Sequence, residues 1–311
     1  MSKVKSYLSL IKFSHTIFAM PFALIGFAIG LVYSKGNYKG NFTDYQRMKK
    51  VFGWSDDEIM IHYFLLFVLV ILCMVFARSA AMAFNRYLDR KFDAKNPRTA
   101  IREIPSGILK ENNVLMFTIV SCILFIACCF FINKLCFYLS PVALAVVLGY
   151  SYTKRFTPFC HLILGLGLSL APIGAYLAVT GQFALLPILF SLAVLFWVSG
   201  FDIIYALQDV EFDKSQKLYS IPAWLGKAKA LRVSEFLHLL SAAAIVFAGW
   251  YGNFGWLYWI GSAVFVVMLG YQHSIVKPND LRKVNLAFMT ANGIASIVFA
   301  IFVIADLFIN I

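Results

Sequence analysis

Five aspartates, in a 311-residue chain with only fifteen acidic residues, stand in two short clusters, each following a long apolar run. Asn85, Asp89 and Asp93 lie in NRYLDRKFD, and Asp202, Tyr205, Asp209 and Asp213 lie in DIIYALQDVEFD. On a helix, steps of four and eight residues turn the azimuth by only about 40° and 80°, so Asn85, Asp89 and Asp93 share a ridge about 12 Å long. Steps of three, seven and eleven put Asp202, Tyr205, Asp209 and Asp213 on one face as well. Carboxylates this close repel one another, more strongly in a low dielectric, and need a cation to hold them together. Ligands that are all oxygen suit a hard divalent ion, Mg²⁺ ahead of Ca²⁺.

A lone Asp at the end of an apolar segment is most simply a solvated residue or half of an ion pair. Two clusters on matching faces point further, because ionisable groups at membrane depth are costly and mark a substrate or ion path. The neighbouring cations decide what such a metal would serve. Pro97-Arg98-Thr99 and Arg102 follow the first cluster, and Lys154-Arg155 closes another apolar run. Mg²⁺ on carboxylates, with Arg98, Arg102 and Lys154 close by, makes a site for a polyphosphate. The chain has no GxxxxGK[ST] loop and no GxGxxG motif, so a diphosphate on a lipid tail fits better than a nucleotide. Such a tail would run between apolar segments rich in Phe, 31 in all, whose ring faces can stabilise an allylic cation.

The elements that must position these groups are membrane spans. The chain is 61% hydrophobic and 14% charged, with a mean hydropathy of +0.79, which is the composition of a polytopic membrane protein. Taking about 20 apolar residues per span, nine runs qualify: 14–33, 61–84, 114–132, 136–152, 161–181, 185–205, 231–250, 255–274 and 285–308. The first, preceded by Lys3, Lys5 and Lys12, is too long for a signal h-region and lacks a cleavage pattern, so it is expected to remain in the protein. With nine spans and a cytoplasmic N-terminus, 20 of the 27 Lys and Arg fall on the cytoplasmic side and six on the other, with Arg78 inside the second span. That split obeys the positive-inside rule, accounts for the net charge of +12 without nucleic acid, and puts both acidic clusters on the cytoplasmic face of the inner (plasma) membrane. The six cysteines have no metal-ligand spacing and read as buried free thiols.

Two connections, 85–113 and 206–230, are long and charged, and both carry an Asp-x-x-x-Asp pattern followed by Ile-Pro. Four spans separate them, so they should share a face and meet across a cavity. A third long connection, 34–60, lies on the opposite face and shows no chemistry; it reads as a short surface helix or the approach to the second span. Gly26 with Gly30, Ala77 with Ala81, and Gly167 with Ala171 would let helices approach closely.

The order NRYLDRKFD, NPRTA, REIPSG, YSYTKRFT, GFDIIYALQDVEFD and YSIPAWLG resembles the UbiA superfamily of intramembrane prenyltransferases. It is most similar to the 4-hydroxybenzoate polyprenyltransferase-like branch, which serves ubiquinone and menaquinone synthesis. The resemblance implies a single all-α domain over 1–311, with nine transmembrane helices around a central cavity capped by two cytoplasmic loops. It also implies Mg²⁺-assisted loss of diphosphate from a polyprenyl diphosphate and alkylation of an aromatic carboxylic acid acceptor within membrane lipid. By position, Asn85, Asp89 and Asp93 would hold one metal, and Asp209 and Asp213, with Asp202 on the same face, the other. Arg98, Arg102 and Lys154 would contact the diphosphate, and Tyr205 would face the reacting end. One departure is Arg86, where many members have Asp; it leaves a naphthoate on a menaquinone route level with 4-hydroxybenzoate.

Arg78, seven residues before Asn85 and on the same face, could bind the acceptor carboxylate or pair with an Asp. His15 and His161 sit near the cytoplasmic interface, where an imidazole is comfortable without a function. Asp306 reads as interfacial, and Lys277, Arg282 and Lys283 as contacts to anionic head groups. Two rivals remain: a cation-coupled secondary transporter, whose sites belong nearer the bilayer midplane, and a prenyltransferase acting on haem or a glycerol lipid.

Overall fold

The computed structural model describes residues 3–11, 18–35, 48–50 and 53–309, and among these the regular structure is helical, with no strand longer than the Lys277–Asp280 bridge. His15 and most of the 34–60 connection lie outside the described residues. In chain order the helices are α1 (Lys3–Leu10), α2 (Met20–Lys35), α3 (Asp56–Asp93), α4 (Glu111–Ile132), α5 (Lys134–Thr153), α6 (Cys160–Thr180) and α7 (Leu185–Ala206). They continue as α8 (Val210–Ser215), α9 (Ile221–Leu225), α10 (Lys227–Tyr251), α11 (Trp256–Ile275) and, after a π turn over Leu286–Ala291, α12 (Asn292–Ile309).

Each of the nine expected spans has a helix at its place, but seven of these, among the described residues, are long and apolar enough to cross a membrane. The count of nine is therefore supported for seven. The described part of the first, α2, is 16 residues long, and α11 carries Trp256, Tyr258, Trp259, Tyr271, Gln272 and His273, which dilute its apolar character. The longest, α3, starts five residues before its expected span and ends nine after it. Ser55 opens it with a capping box: its hydroxyl accepts from the Glu58 N–H at 3.3 Å, and the Glu58 carboxylate accepts from the Ser55 N–H at 2.7 Å. The acidic motif at its other end stays helical to Asp93, so the first connection is shorter than the sequence implies.

The bundle has a dense part and a hollow part. In the dense part, α2, α7, α11 and α12 meet around Trp197, whose ring centroid is 5.3 Å from Phe22 and 5.5 Å from Phe265, with Phe299 5.3 Å from Phe265. Gly26 and Gly30 do bring α2 close to α6, since a Cβ at Gly26 would overlap the Pro172 carbonyl and one at Gly30 the Val179 side chain. Ala77, Ala81, Gly167 and Ala171 instead line a cavity of about 380 Å³ bounded by α3, α4, α5 and α6. Their smallness leaves space open there.

One other sequence expectation changes. Asp306 is 1% exposed rather than interfacial, and its carboxylate accepts from the Gly255 N–H at 2.7 Å and the Tyr258 N–H at 3.3 Å, capping the start of α11. Arg282 turns back onto Asp280 at 2.7 Å.

Candidate active site

The last turns of α3 present the first motif. Asn85 Nδ2 donates to Asp89 Oδ2 at 3.1 Å and to Ser151 Oγ, on α5, at 3.4 Å. Arg155, just past α5, donates to Asp89 Oδ1 at 3.3 Å and to the Leu88 carbonyl at 3.0 Å. Asp93 is 6% exposed; its Oδ1 accepts from Arg102 at 2.7 Å, while its Oδ2 is buried with no hydrogen-bond partner. The loop then folds back because the Asn96 side chain accepts from the Arg98 N–H at 3.0 Å and the Thr99 N–H bonds to the Asn96 carbonyl at 2.9 Å.

That turn aims Arg98 at the second motif. Its guanidinium reaches Asp209 through Nε at 3.1 Å and Nη2 at 2.5 Å, and Nη1 donates to the Tyr205 hydroxyl at 2.9 Å. A fork with this geometry engages a carboxylate bidentately. Asn96 Nδ2 also donates to Asp209, at 3.3 Å. The two loops meet here, as their placement on one face requires.

A second junction lies beside it. Lys154 Nζ is 2.7 Å from the fully buried Asp213 Oδ1, and Ser220 Oγ donates to Asp213 Oδ2 at 2.9 Å while accepting from the Ala223 N–H at 3.2 Å as the cap of α9. The Lys154 carbonyl accepts from the Tyr219 N–H at 2.7 Å, so loop and cation fix one another. Burial alone would lower the Lys154 ammonium pKa, but the Asp213 carboxylate outweighs it and holds it above the ordinary lysine value. For Arg98 the same balance of burial against Asp209 and Tyr205 also ends with the pKa raised.

Asp202 stands apart from this set. Its Oδ2 is 2.6 Å from His161 Nδ1, and His161 Nε2 accepts from the Ile221 N–H at 3.4 Å. The bond at Nε2 places the imidazole proton on Nδ1, donated to Asp202. Each of the five aspartates, Asp89, Asp93, Asp202, Asp209 and Asp213, thus has a nitrogen partner of its own. Among the described residues, no three His, Cys, Asp or Glu side chains converge as they would around a metal ion.

Arg78 is elsewhere again, in the cavity wall with Tyr150, its Nε buried and without a hydrogen-bond partner. Among the described residues it does not pair with an Asp. The structure therefore joins Asp93 with Arg102, Asp209 with Arg98 and Tyr205, and Asp213 with Lys154, and leaves Arg78 alone facing apolar space. Sequence reasoning passed over Asn96, Arg155, Ser220 and the His161–Asp202 pair. Arg155 had a signal in the Lys-Arg dipeptide; the others gain their roles only through partners that the fold supplies, Asn96 on Asp209 and His161 on Asp202 from 113 and 41 residues away, and Ser220 on Asp213 across a turn.

Known proteins share this fold. The model of the UbiA prenyltransferase family matches residues 57–294. The chain belongs to the UbiA prenyltransferase family. Among relatives, the 4-hydroxybenzoate octaprenyltransferase of Cupriavidus pinatubonensis is 29% identical over 240 residues, 75% of this chain and 83% of the relative. That of Aeromonas salmonicida is 31% identical over 225 residues, 71% of this chain and 76% of the relative. Of the solved structures, an apo UbiA homologue from Aeropyrum pernix K1 superposes with a TM-score of 0.73 at 26% identity, covering 95% of this chain and 98% of that one. A UbiA homologue from Archaeoglobus fulgidus bound to DMAPP and Mg²⁺ has a TM-score of 0.69 at 18% identity, covering 98% and 99%, and speaks for the fold. UbiA membership accounts for the two-loop layout and sets the transporter reading aside.

Proposed function

We propose that this UbiA-family protein transfers a polyprenyl group from a polyprenyl diphosphate to the ring of 4-hydroxybenzoate. The observation that carries the reading is the junction of Arg98, Tyr205 and Asp209 at the meeting of the two loops, together with an apolar cavity that holds the unpaired Arg78. The relatives' names favour 4-hydroxybenzoate over the naphthoate that Arg86 alone had left level with it.

The donor set fits Mg²⁺: it is entirely oxygen, and Asp93 Oδ2 is a buried acceptor with nothing to accept. Asn85, Asp89 and Asp93 would hold one ion, and Asp209 and Asp213 another. Bound there, Mg²⁺ neutralises the charge that develops on the diphosphate leaving group. Asp202, already held by His161, braces α7 against α6 instead of serving as a ligand. Arg98, Arg102, Lys154 and Arg155 turn from their carboxylates to the phosphate oxygens. As the allylic C–O bond breaks, the diphosphate takes the electron pair. A ring carbon of the acceptor forms the new C–C bond, and the displaced ring proton passes to the released diphosphate. Tyr205 faces the reacting carbon, the apolar cavity keeps water from the cation, and Arg78 receives the acceptor carboxylate. Both loops would face the cytoplasm from the inner membrane, following the charge split.

The test is an assay on membranes containing the protein, with Mg²⁺, a polyprenyl diphosphate and either 4-hydroxybenzoate or a dihydroxynaphthoate, read by mass spectrometry of extracted lipid. A metal-dependent product from 4-hydroxybenzoate, lost in Asp89→Ala and Asp209→Ala proteins that remain folded, is expected. A product only on naphthoate, haem or a glycerol lipid, or full activity in both variants, would overturn the acceptor or the metal assignment respectively.

A further inference from the structure

Outside the loops, the least regular backbone in the bundle is the π turn Leu286–Ala291 that leads into α12 at Asn292. A π turn carries one residue more than an α turn, disturbs the carbonyl pairing of its neighbours, and recurs at functional sites. Asn292 is fully buried and completes that pairing, with Nδ2 donating to the Ala287 carbonyl at 3.2 Å and the Phe288 carbonyl at 3.0 Å. Its Oδ1 accepts from Trp197 Nε1 of α7 at 2.7 Å and from Gln272 Nε2 of α11 at 2.8 Å. Four bonds use the full capacity of an amide side chain. No shorter, charged or aliphatic residue could make the same set.

The widened turn delivers Phe288 to the site. Its ring lies against Tyr205, with centroids 4.3 Å apart and planes at 32°, and meets Phe18 and Phe201 edge-on at 5.4 Å each. The Tyr205 hydroxyl is the group that accepts from Arg98 while the rest of that guanidinium grips Asp209. A packed path therefore runs from Asn292 through the turn carbonyls and Phe288 to Tyr205 and Arg98. Its far end is held in the dense part of the bundle by Trp197 and Gln272.

We infer that Asn292 is a positioning residue which, by holding the π turn, seats Phe288 on the Tyr205 ring and so fixes where the Tyr205 hydroxyl and Arg98 meet the reacting end of the donor. The inference rests on the prenyl-transfer reading. An error of about 1 Å in such a group costs on the order of 100-fold in rate, whereas the donor's tail and diphosphate would still bind.

The experiment compares wild-type protein with Phe288→Leu, Phe288→Tyr and Asn292→Ala in steady-state prenyl transfer. In parallel, ¹⁹F NMR follows a 3-fluorotyrosine placed at position 205, which senses the Phe288 ring. Phe288→Leu and Asn292→Ala are expected to lower kcat by about tenfold or more with the donor KM nearly unchanged, and to move the fluorine resonance in the same direction. Phe288→Tyr, which keeps the ring, retains most of kcat; a role in filling volume alone would make Leu and Tyr equivalent. An unmoved resonance in folded Asn292→Ala, or kcat within twofold of wild type in Phe288→Leu, would overturn the inference. If wild-type protein transfers no prenyl group to any acceptor, the functional reading fails, and the fluorine comparison still decides whether Asn292 positions Tyr205.

Discussion

Arg98 makes three polar contacts in two directions at once, and a lysine cannot reproduce them. Arg98→Lys keeps the charge but loses the fork on Asp209 and the bond to Tyr205, so kcat/KM is expected to fall by about 10- to 100-fold in the prenyl-transfer assay. Lys154 gives a prediction about pH. Its pKa is raised in the folded protein, so its contribution to stability is complete below the unfolded lysine value of about 10.4 and disappears as pH rises through the raised folded value. Thermal unfolding in detergent should show that alkaline loss in wild type, and Lys154→Arg should push it to higher pH. The acidic spacing was plain in the sequence, and Asp89 and Asp93 do share one helix, but Asp209 and Asp213 lie past the end of α7, in a 3-10 turn and in the short α8, so the single helical face expected for the second cluster is broken. Their cationic partners were legible only as a neighbourhood. Asp202 was read as a ligand on spacing, which cannot show that His161, 41 residues away, lies 2.6 Å from its Oδ2.

At the scale of elements, small residues carried two meanings that look alike in sequence. Gly26 is a true close contact, so Gly26→Ala must displace the Pro172 backbone and is expected to cost about 1–3 kcal/mol in thermal unfolding. Gly149→Ala, with open space around it, is the neutral control. Ala77, Ala81, Gly167 and Ala171 have the same spacing yet face a void, and only the packing of α3 to α6 separates the cases. Ser220 joins a helix cap to an acid of the site. Ser220→Ala should cost about 1 kcal/mol through the cap, and should weaken donor binding because Asp213 loses a partner. The spans were legible almost one for one from hydropathy. Asp306 and the π turn were not: an acid near a helix end has the same signature whether it caps a neighbour or meets water, and one extra residue in a turn leaves no periodic trace.

Across the whole molecule there is a dense part and a hollow part, and on the proposed function the substrate tail would lie in the hollow between α3, α4, α5 and α6. Replacing Ala143 or Gly167, both in the cavity wall, with Leu should suppress transfer from long-chain donors and spare short ones, a contrast visible in the product spectrum from mixed polyprenyl diphosphates. Equal loss for all chain lengths would place the tail elsewhere. One feature of the architecture also ties the chemistry to the surrounding lipid. The 38-residue α3 is about 57 Å long at 1.5 Å per residue, against a hydrocarbon core of about 30 Å. It is one continuous rod, with Ser55 capping one end, Arg78 partway along, and Asn85, Asp89 and Asp93 at the other end. A rod cannot stretch, so a thicker or thinner bilayer is met by tilt, and tilt moves the acidic end relative to the lipid head groups. On the proposed function, turnover should therefore pass through a maximum as the acyl chains of the host lipid are lengthened.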